Sequence, residues 1–285
     1  MTFRQEGPFQ DAAAVDLPGA VLAVPMRSCS VMISTQFLSH VSLIRERVES
    51  FDRYPFCLPA VRNLDRLVLH PKLTVLVGEN GSGKSTLLEA IAVSLGFNPE
   101  GGSRNFAFGT RASHSELHQY LRVAKGVRSP RDGFFLRAES FFNVATEIER
   151  LDAEPSSGPP VIGSYGGRSL HEQSHGESFL ALLANRFGGQ GLYLLDEPEA
   201  ALSPQRQLAA LSRMHDLILD GSQFVMATHS PILMAYPDAC IYQFTPEGIS
   251  RVPYDETEHV QLSRDFLANP ERMLRVLLHR DADEV

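Results

Sequence analysis

The chain has 285 residues, of which 43% are hydrophobic, and its formal net charge at pH 7 is -8. A hydrophobic fraction of this size supports a large folded core and excludes a generally disordered protein. The acidic balance also argues against a protein that binds nucleic acid over its whole surface, because such binding depends on neutralising phosphates with Lys and Arg.

The first part of the chain has little periodicity, and residues 1–33 are predicted to be a flexible extension. The segment 37–48 mixes apolar and charged residues in rough alternation, which indicates a half-exposed strand, and an aromatic-rich loop follows at 51–61. Residues 73–77 form a continuous apolar run that predicts a buried strand leading into a glycine-rich loop. The helical pattern after this loop stops at Gly96.

The pattern changes between about 98 and 177, which predicts a largely helical lobe inserted in the core of a domain spanning 34–285. A helix is predicted through Leu117 and Leu121, GFFLRA is strand-like, and helical spacing resumes at Phe141. Two more buried strands are expected, LYLL and QFVMA, separated by a helix that Ser203 can cap. Strands that alternate with helices predict an α/β fold with a mainly parallel sheet.

The glycine-rich loop matches the phosphate-binding pattern G-x-x-x-x-G-K-S and lies between a predicted strand and a predicted helix. Glycines let backbone N–H groups surround phosphate, Lys84 neutralises phosphate oxygens, and the hydroxyl of Ser85 is a ligand for Mg²⁺. The sequence therefore predicts a P-loop nucleotide site, formed by Gly78, Glu79, Asn80, Gly81, Ser82, Gly83, Lys84, Ser85 and Thr86.

Three further side chains follow predicted strands. Asp196 ends LYLLD, where its carboxylate can hold Mg²⁺, and the adjacent Glu197 is a candidate base for the attacking water. Thr228 and His229 end the next strand. If the two strands are neighbours, His229 is placed to sense the γ-phosphate. The carboxylate pair indicates hydrolysis of the nucleotide and not only its storage.

The segment Gln173 to Ser178 precedes a helix, whose N-terminal N–H groups favour an anion. Taken together with the motifs above, this segment completes an order of motifs along the chain that resembles the ABC ATPases. In that family the LSGGQ signature of one subunit closes on ATP held by the other. In this resemblance Ser174, Gly176 and Glu177 match signature positions, whereas His175 replaces a glycine and Gln173 replaces the leucine. These departures favour a branch other than the transporters.

Residues 37–277 resemble a group of single-domain bacterial ATPases of the SMC and RecF-like branch. The segments that carry this resemblance are FDRYPF, GENGSGKSTLLEAIA, RAESFFNVATEI, LLDEPEAALSP and ATHSPI. This resemblance implies an ABC-type ATPase core that binds ATP and Mg²⁺ and forms an ATP-dependent homodimer. It does not indicate which process ATP hydrolysis drives.

The resemblance also implies two further site residues. Glu139, in RAES, takes the place of a glutamine that contacts Mg²⁺ and water in ABC proteins, with a helix cap as the alternative. Tyr54 is the candidate for stacking on adenine, with Phe51 and Phe56 as competitors and core packing as the alternative for each.

Two other functions stay open at this point. The first is a nucleotide-dependent module that binds nucleic acid or a partner protein, for which the basic residues Arg122, Lys125, Arg128 and Arg131 are a candidate surface, although a solvated loop is the favoured interpretation. The second, less favoured, is the ATP-binding subunit of a transporter. Three widely spaced cysteines and no long uninterrupted apolar run predict a cytoplasmic protein without a membrane span.

Overall fold

The computed structural model describes residues 36–104, 115–153 and 160–278, so the predicted extension at 1–33 lies outside the described residues. The strands are β1 (Leu38–Leu43), β2 (Leu67–Val68), β3 (Leu73–Gly78), β4 (Leu121–Lys125), β5 (Asp132–Arg137), β6 (Gly191–Asp196), β7 (Gln223–Ala227), β8 (Cys240–Thr245) and β9 (Gly248–Val252). The α-helices are α1 (Pro59–Arg62), α2 (Lys84–Ser94), α3 (Phe141–Ala153), α4 (His175–Ala181), α5 (Pro204–Leu219), α6 (Pro231–Met234), α7 (Glu258–Ala268) and α8 (Pro270–Leu278). A π-helical turn at Leu182–Arg186 extends α4.

Six strands form the central sheet in the order β5-β6-β7-β3-β8-β9. The first five strands in this order run parallel to one another, and β9 pairs antiparallel with β8. The carboxyl ends of β3, β6 and β7 therefore lie at the same edge of the sheet, which is where open α/β sheets bind ligands. Since β7 adjoins β6, the condition for His229 to lie beside the predicted catalytic carboxylates is met.

The central strands are buried on both faces, which explains their continuous apolar sequences. The buried apolar residues in the described part of the chain form two hydrophobic clusters. In β3, Val75 and Val77 belong to one cluster and Leu76 to the other, because successive side chains of a strand point to opposite faces of the sheet. Leu88 and Ile91 of α2 pack on the side of Leu76 and are fully buried. Burying one such side chain contributes about 1.5–3 kcal/mol, so this packing holds the start of α2 firmly against β3.

A buried glutamine joins the small antiparallel sheet, β2-β1-β4, to the central sheet. Gln223 begins β7, and its Oε1 accepts hydrogen bonds from the N–H groups of Phe37 (3.0 Å) and Leu38 (2.9 Å). Its Nε2 donates to the carbonyl oxygens of Leu38 (2.8 Å) and His70 (2.9 Å). One side chain thus satisfies four backbone groups and fixes β1 against the central sheet.

The region predicted as a largely helical lobe, about 98–177, contains two strands of the sheets. β4 pairs with β1, and β5 is the edge strand beside β6. The helix predicted through Leu117 and Leu121 is wrong: a 3-10 turn covers Glu116–Tyr120, and Leu121 already begins β4. The four-residue spacing of Leu117 and Leu121 resembles a helical pattern because both side chains are buried. Leu117 belongs to the 3-10 turn and Leu121 to β4.

We expect Gln223→Leu to lower the free energy of unfolding by at least about 2 kcal/mol, because each buried polar group left unpaired costs about 1–3 kcal/mol. Urea denaturation followed by circular dichroism measures this difference. Gln205→Leu, at an exposed position of α5, is the matched control and should stay within about 0.5 kcal/mol of the wild type. Equal stabilities for the two variants would contradict the assigned role of Gln223.

Candidate functional site

The P-loop connects β3 to α2 and has a conformation that depends on its glycines. Gly78, Gly81 and Gly83 have φ angles of 142°, 79° and 102°, which other residues rarely adopt. A Cβ atom at Gly78 would also collide with the carbonyl oxygen of Phe244 on β8. The local sequence therefore forces the chain to turn sharply at the carboxyl end of β3, where the N-terminus of α2 faces the cleft.

Lys84 is the first residue of α2 and is buried. Its Nζ donates hydrogen bonds to the carbonyl oxygens of Gly78 (2.8 Å) and Glu79 (2.9 Å), which hold the ammonium group across the loop. Burial lowers the pKa of Lys84, whereas the nearby carboxylates of Glu197 and Asp196 act in the opposite direction. The arrangement places one cation and a ring of backbone N–H groups around the same space.

Ser85 and Asp196 are brought together from α2 and the end of β6. The Ser85 hydroxyl donates to Asp196 Oδ1 at 2.8 Å, although the residues are 111 positions apart. Asp196 is 5% exposed, and burial raises its pKa to about 6. A hydroxyl oxygen and a buried carboxylate are ligands that fit Mg²⁺, which binds through few protein oxygens together with phosphate and water. The described residues contain no cluster of three or more His, Cys, Asp and Glu suited to a metal, and the Mg²⁺ site at Ser85 and Asp196 stays a prediction.

Arg137, at the end of β5, is a charged member of the site that sequence patterns did not indicate. Its guanidinium lies 2.6 Å from Glu89 and 3.7 Å from Asp196. The Nε atom is buried without a hydrogen-bond partner among the described residues. Arg137 therefore balances the carboxylates behind the P-loop, because buried charges are stable only when they are compensated.

Glu197 follows Asp196 and has a left-handed backbone conformation, with φ 50° and ψ 51°. This conformation costs a non-glycine residue about 1–3 kcal/mol and is frequent at functional sites. The N–H of Glu197 donates to the carbonyl oxygen of Ala227 on β7 at 2.9 Å, which holds the turn. The side chain lines a cleft of about 290 Å³ together with Tyr54, Lys84 and Ser85.

His229 lies beside Glu197, with 3.6 Å between its Nε2 and Glu197 Oε1. The loop that carries it is held by Glu199, which accepts hydrogen bonds from the hydroxyl of Thr228 (2.7 Å) and the N–H of His229 (2.5 Å). Sequence patterns do not indicate this role for Glu199, because the two partners lie about thirty positions further along the chain.

The three candidate aromatic residues before the P-loop have different environments. Phe56 is fully buried and packs edge-on against Tyr120, so it is a core residue. Phe51 is half-buried, with the guanidinium of Arg45 above its ring at 4.8 Å. Tyr54 is 60% exposed, lines the P-loop cleft, and has its hydroxyl 3.4 Å from the hydroxyl of Thr86. Only Tyr54 of these three presents a ring to the cleft.

Glu139 lies in a second cleft, of about 390 Å³, that also contains Tyr54, Ser85 and Thr86. Its side chain is 84% exposed, and its Oε2 is 3.6 Å from the guanidinium of Arg137. The residue is near the predicted metal site, and its role as a ligand stays a prediction.

The signature-like segment forms the N-terminus of α4. Ser174 is the N-cap, and its N–H and hydroxyl donate to Glu177 Oε2 at 3.0 Å and 2.8 Å, in a capping box. Arg206 of α5 contacts both residues, at 3.1 Å from Ser174 Oγ and 3.3 Å from Glu177 Oε1. Gly176 is buried under Arg206, whose guanidinium would collide with a Cβ atom at this position. The acidic Glu177 is therefore paired with a cation.

No helix in the described part of the chain is long and apolar enough to cross a membrane.

Comparison with known proteins gives the following similarities. Residues 49–149 match a family described as an AAA domain. The cytochrome c biogenesis ATP-binding export protein of Rhodopseudomonas palustris is 32% identical over 170 residues, which cover 56% of this chain and 79% of that protein. The hemin import ATP-binding protein of the same species is 25% identical over 213 residues, covering 67% and 81%. A solved ATP-binding cassette of an ABC transporter has 15% identity, covers 84% of this chain and 98% of that chain, and has a TM-score of 0.48.

We expect Tyr54→Ala to weaken binding of ATP about fivefold, because loss of an aromatic stacking partner costs about 1 kcal/mol. Isothermal titration calorimetry with Mg²⁺ and ATP measures the affinity. Tyr54→Phe keeps the ring and should bind as the wild type does, and Phe51→Ala should also retain affinity. A loss for Phe51→Ala but not for Tyr54→Ala would assign the stacking role to Phe51 instead.

Proposed function

This chain belongs to the ABC-type P-loop ATPases, and we propose that it hydrolyses ATP with Mg²⁺ between two copies that ATP brings together. The observation that carries the proposal is the meeting of Ser85 and Asp196 at 2.8 Å, at the sheet edge where Lys84, Glu197 and His229 also lie. We include a cytoplasmic location and membership of the SMC and RecF-like branch in this proposal, on the sequence patterns described above.

In the proposed reaction the P-loop binds the triphosphate. The N–H groups at the start of α2 and the ammonium group of Lys84 offset the charge of the β- and γ-phosphates. Ser85 and Asp196 would hold Mg²⁺, with Glu139 as a further candidate ligand. The ion, when bound, supplies positive charge to the phosphate oxygens. Tyr54 would stack on the adenine.

Glu197 and His229 act on the γ-phosphate side of the site. Glu197 is near enough to the P-loop cleft to orient and polarise a water molecule, and its half-exposed carboxylate is accessible to that water. The Nε2 of His229 lies 3.6 Å from Glu197 Oε1, and in this proposal it contacts a γ-phosphate oxygen. The guanidinium of Arg137 lies 3.7 Å from Asp196 and balances its charge.

Ser174, Gly176 and Glu177 would act on ATP bound to the second copy. Two features support this: Ser174 and Glu177 are exposed, and neither cleft described above that contains P-loop residues is lined by any residue of α4. An acidic side chain at this position would repel a triphosphate, but the contact with Arg206 offsets its charge. The guanidinium of Arg206 also provides a positive charge beside Ser174, where the γ-phosphate of ATP bound to the second copy would lie.

We expect Glu197→Gln to lower steady-state phosphate release at least about 100-fold, because general base catalysis contributes that much or more. The variant should bind ATP and accumulate as a dimer. Size-exclusion chromatography with light scattering, with ATP and Mg²⁺ in the buffer, measures the mass.

The control is the double variant Lys84→Ala with Glu197→Gln, which lacks the phosphate-binding cation and should remain monomeric in ATP. The sandwich mechanism fails if the single variant binds ATP and stays monomeric. Full turnover by the single variant would instead reject Glu197 as the base.

Mixing two inactive variants tests whether the signature acts between subunits. Lys84→Ala lacks a working P-loop, and Ser174→Glu places a second negative charge at the signature. We expect each variant alone to be inactive and an equal mixture to recover measurable turnover, up to about a quarter of the wild-type value, because only a mixed dimer contains one intact composite site. No recovery in mixtures that form mixed dimers would contradict action in trans.

A nucleotide-dependent binding module is the second candidate function, and the altered signature at Gln173 and His175 favours it. In that case the wild-type protein would bind ATP tightly with near-zero phosphate release. The basic residues suggested for a nucleic acid surface, Arg122, Lys125, Arg128 and Arg131, are all exposed, as expected also for solvated charges. A transporter subunit is the third candidate. The names of the two relatives, one for import and one for export, favour it, whereas the altered signature argues against it.

A further inference from the structure

His259 contacts the predicted γ-phosphate sensor from outside the strands that build the site. It lies in the first turn of α7, and its Nε2 is 2.9 Å from His229 Nδ1. The ring centroids are 5.1 Å apart with an interplanar angle of 55°, so the rings meet through these two nitrogens and are not stacked. Such a distance is that of a hydrogen bond between ring nitrogens.

The position of His259 is fixed by its surroundings. The neighbouring Thr257 and Val260 are buried, and the Thr257 hydroxyl donates to the carbonyl oxygen of Tyr254 at 2.8 Å. The Tyr254 hydroxyl in turn donates to the carbonyl oxygen of Pro231 at 3.2 Å. The start of α7 is thus tied to the first residue of α6, which follows the loop that carries His229.

The other ring nitrogen of His229 is aimed at the catalytic side. Its Nε2 is buried, has no hydrogen-bond partner among the described residues, and lies 3.6 Å from Glu197 Oε1. A neutral histidine has a proton on one ring nitrogen and a lone pair on the other. The direction of the hydrogen bond with His259 therefore determines what Nε2 presents to Glu197 and to a phosphate.

When both rings are neutral, only one direction suits the charges in this site. If His229 donated from Nδ1, the lone pair of its Nε2 would face the Glu197 carboxylate, which is repulsive. If His259 donates from Nε2, His229 carries its proton on Nε2, directed toward the Glu197 carboxylate. Burial, and then the proximity of His229, lower the pKa of His259, which favours the neutral ring that this arrangement needs.

We propose that His259 is a positioning residue that donates a hydrogen bond to His229 Nδ1 and thereby holds the His229 proton on Nε2, ready for a γ-phosphate oxygen. The inference rests on the proposed function for its consequence, since it assumes that His229 contacts the γ-phosphate. The ligand it prepares for is the terminal phosphate of a nucleoside triphosphate. Because His259 belongs to α7, the state of the sensor depends on the docking of α7.

Nuclear magnetic resonance of ¹⁵N-histidine-labelled full-length protein, without nucleotide and at about pH 8, above the ordinary pKa of histidine, reports which nitrogen of each ring carries the proton. The His229 signals are assigned by their loss in His229→Gln. We expect the Nε2–H tautomer in the wild type. His259→Leu, which fills the space without a donor, should shift His229 to a mixture or to the Nδ1–H tautomer. His259→Gln should keep the Nε2–H tautomer, because its amide nitrogen can donate from nearly the same position.

The kinetic readout is phosphate release over a range of ATP concentrations. His259→Leu should reduce kcat about tenfold and leave KM within about twofold, as expected for an interaction made mainly in the transition state. His259→Gln should recover most of kcat. The matched control is His215→Gln on α5, which removes a histidine that also contacts a side chain, the Tyr236 hydroxyl at 3.0 Å, and should change neither parameter.

An Nδ1–H tautomer of His229 in the wild-type protein overturns the proposal without any variant. So does an unchanged tautomer together with unchanged kcat in a folded His259→Leu protein. Wild-type protein with no turnover would reject the proposed ATPase function, and the spectrum would still test the histidine contact by itself.

Discussion

The site depends on one constraint, the parallel alignment of β6, β7 and β3 as neighbours in the central sheet. Parallel strands that adjoin each other end at the same edge, so the residues that follow them meet there. The register pairs Asp196 with Ala227, and Ala227 with Leu76 just before the P-loop. A shift of one residue in this pairing would turn each strand's side chains to the opposite face and separate the carboxylates from the loop.

The second requirement is a balance of buried charge behind the P-loop. Two cations, Lys84 and Arg137, lie among the carboxylates of Glu89, Asp196 and Glu197. Burial alone would make these groups expensive, as the raised pKa of Asp196 indicates. The pairing with Arg137 reduces this cost. Because Asp196 is a buried carboxylate, additional positive charge near it would be favourable. A magnesium ion bound with a nucleotide would provide such a charge.

Parts of the protein outside the central strands hold the candidate site residues in place. Glu199 holds the loop of His229, and His259 contacts its ring from α7. On another surface, Arg206 of α5 offsets the charge of Glu177 at the exposed start of α4. The contact of His259 connects the candidate nucleotide site with α7, so a change in this helix reaches His229 through one hydrogen bond.

The sequence by itself determined the P-loop, the buried strands and the helix after them. These features depend on neighbouring residues, such as the glycine φ angles at Gly78 and Gly83 and the two-sided burial of β3. Only the tertiary structure decided which sheets β4 and the strand-like segment GFFLRA join, that Tyr54 and not Phe56 faces the cleft, and that Arg137 and His259 lie beside the predicted site. The physical reason is that such contacts join residues tens of positions apart in the chain. A local pattern of spacing or composition does not indicate which distant residues meet.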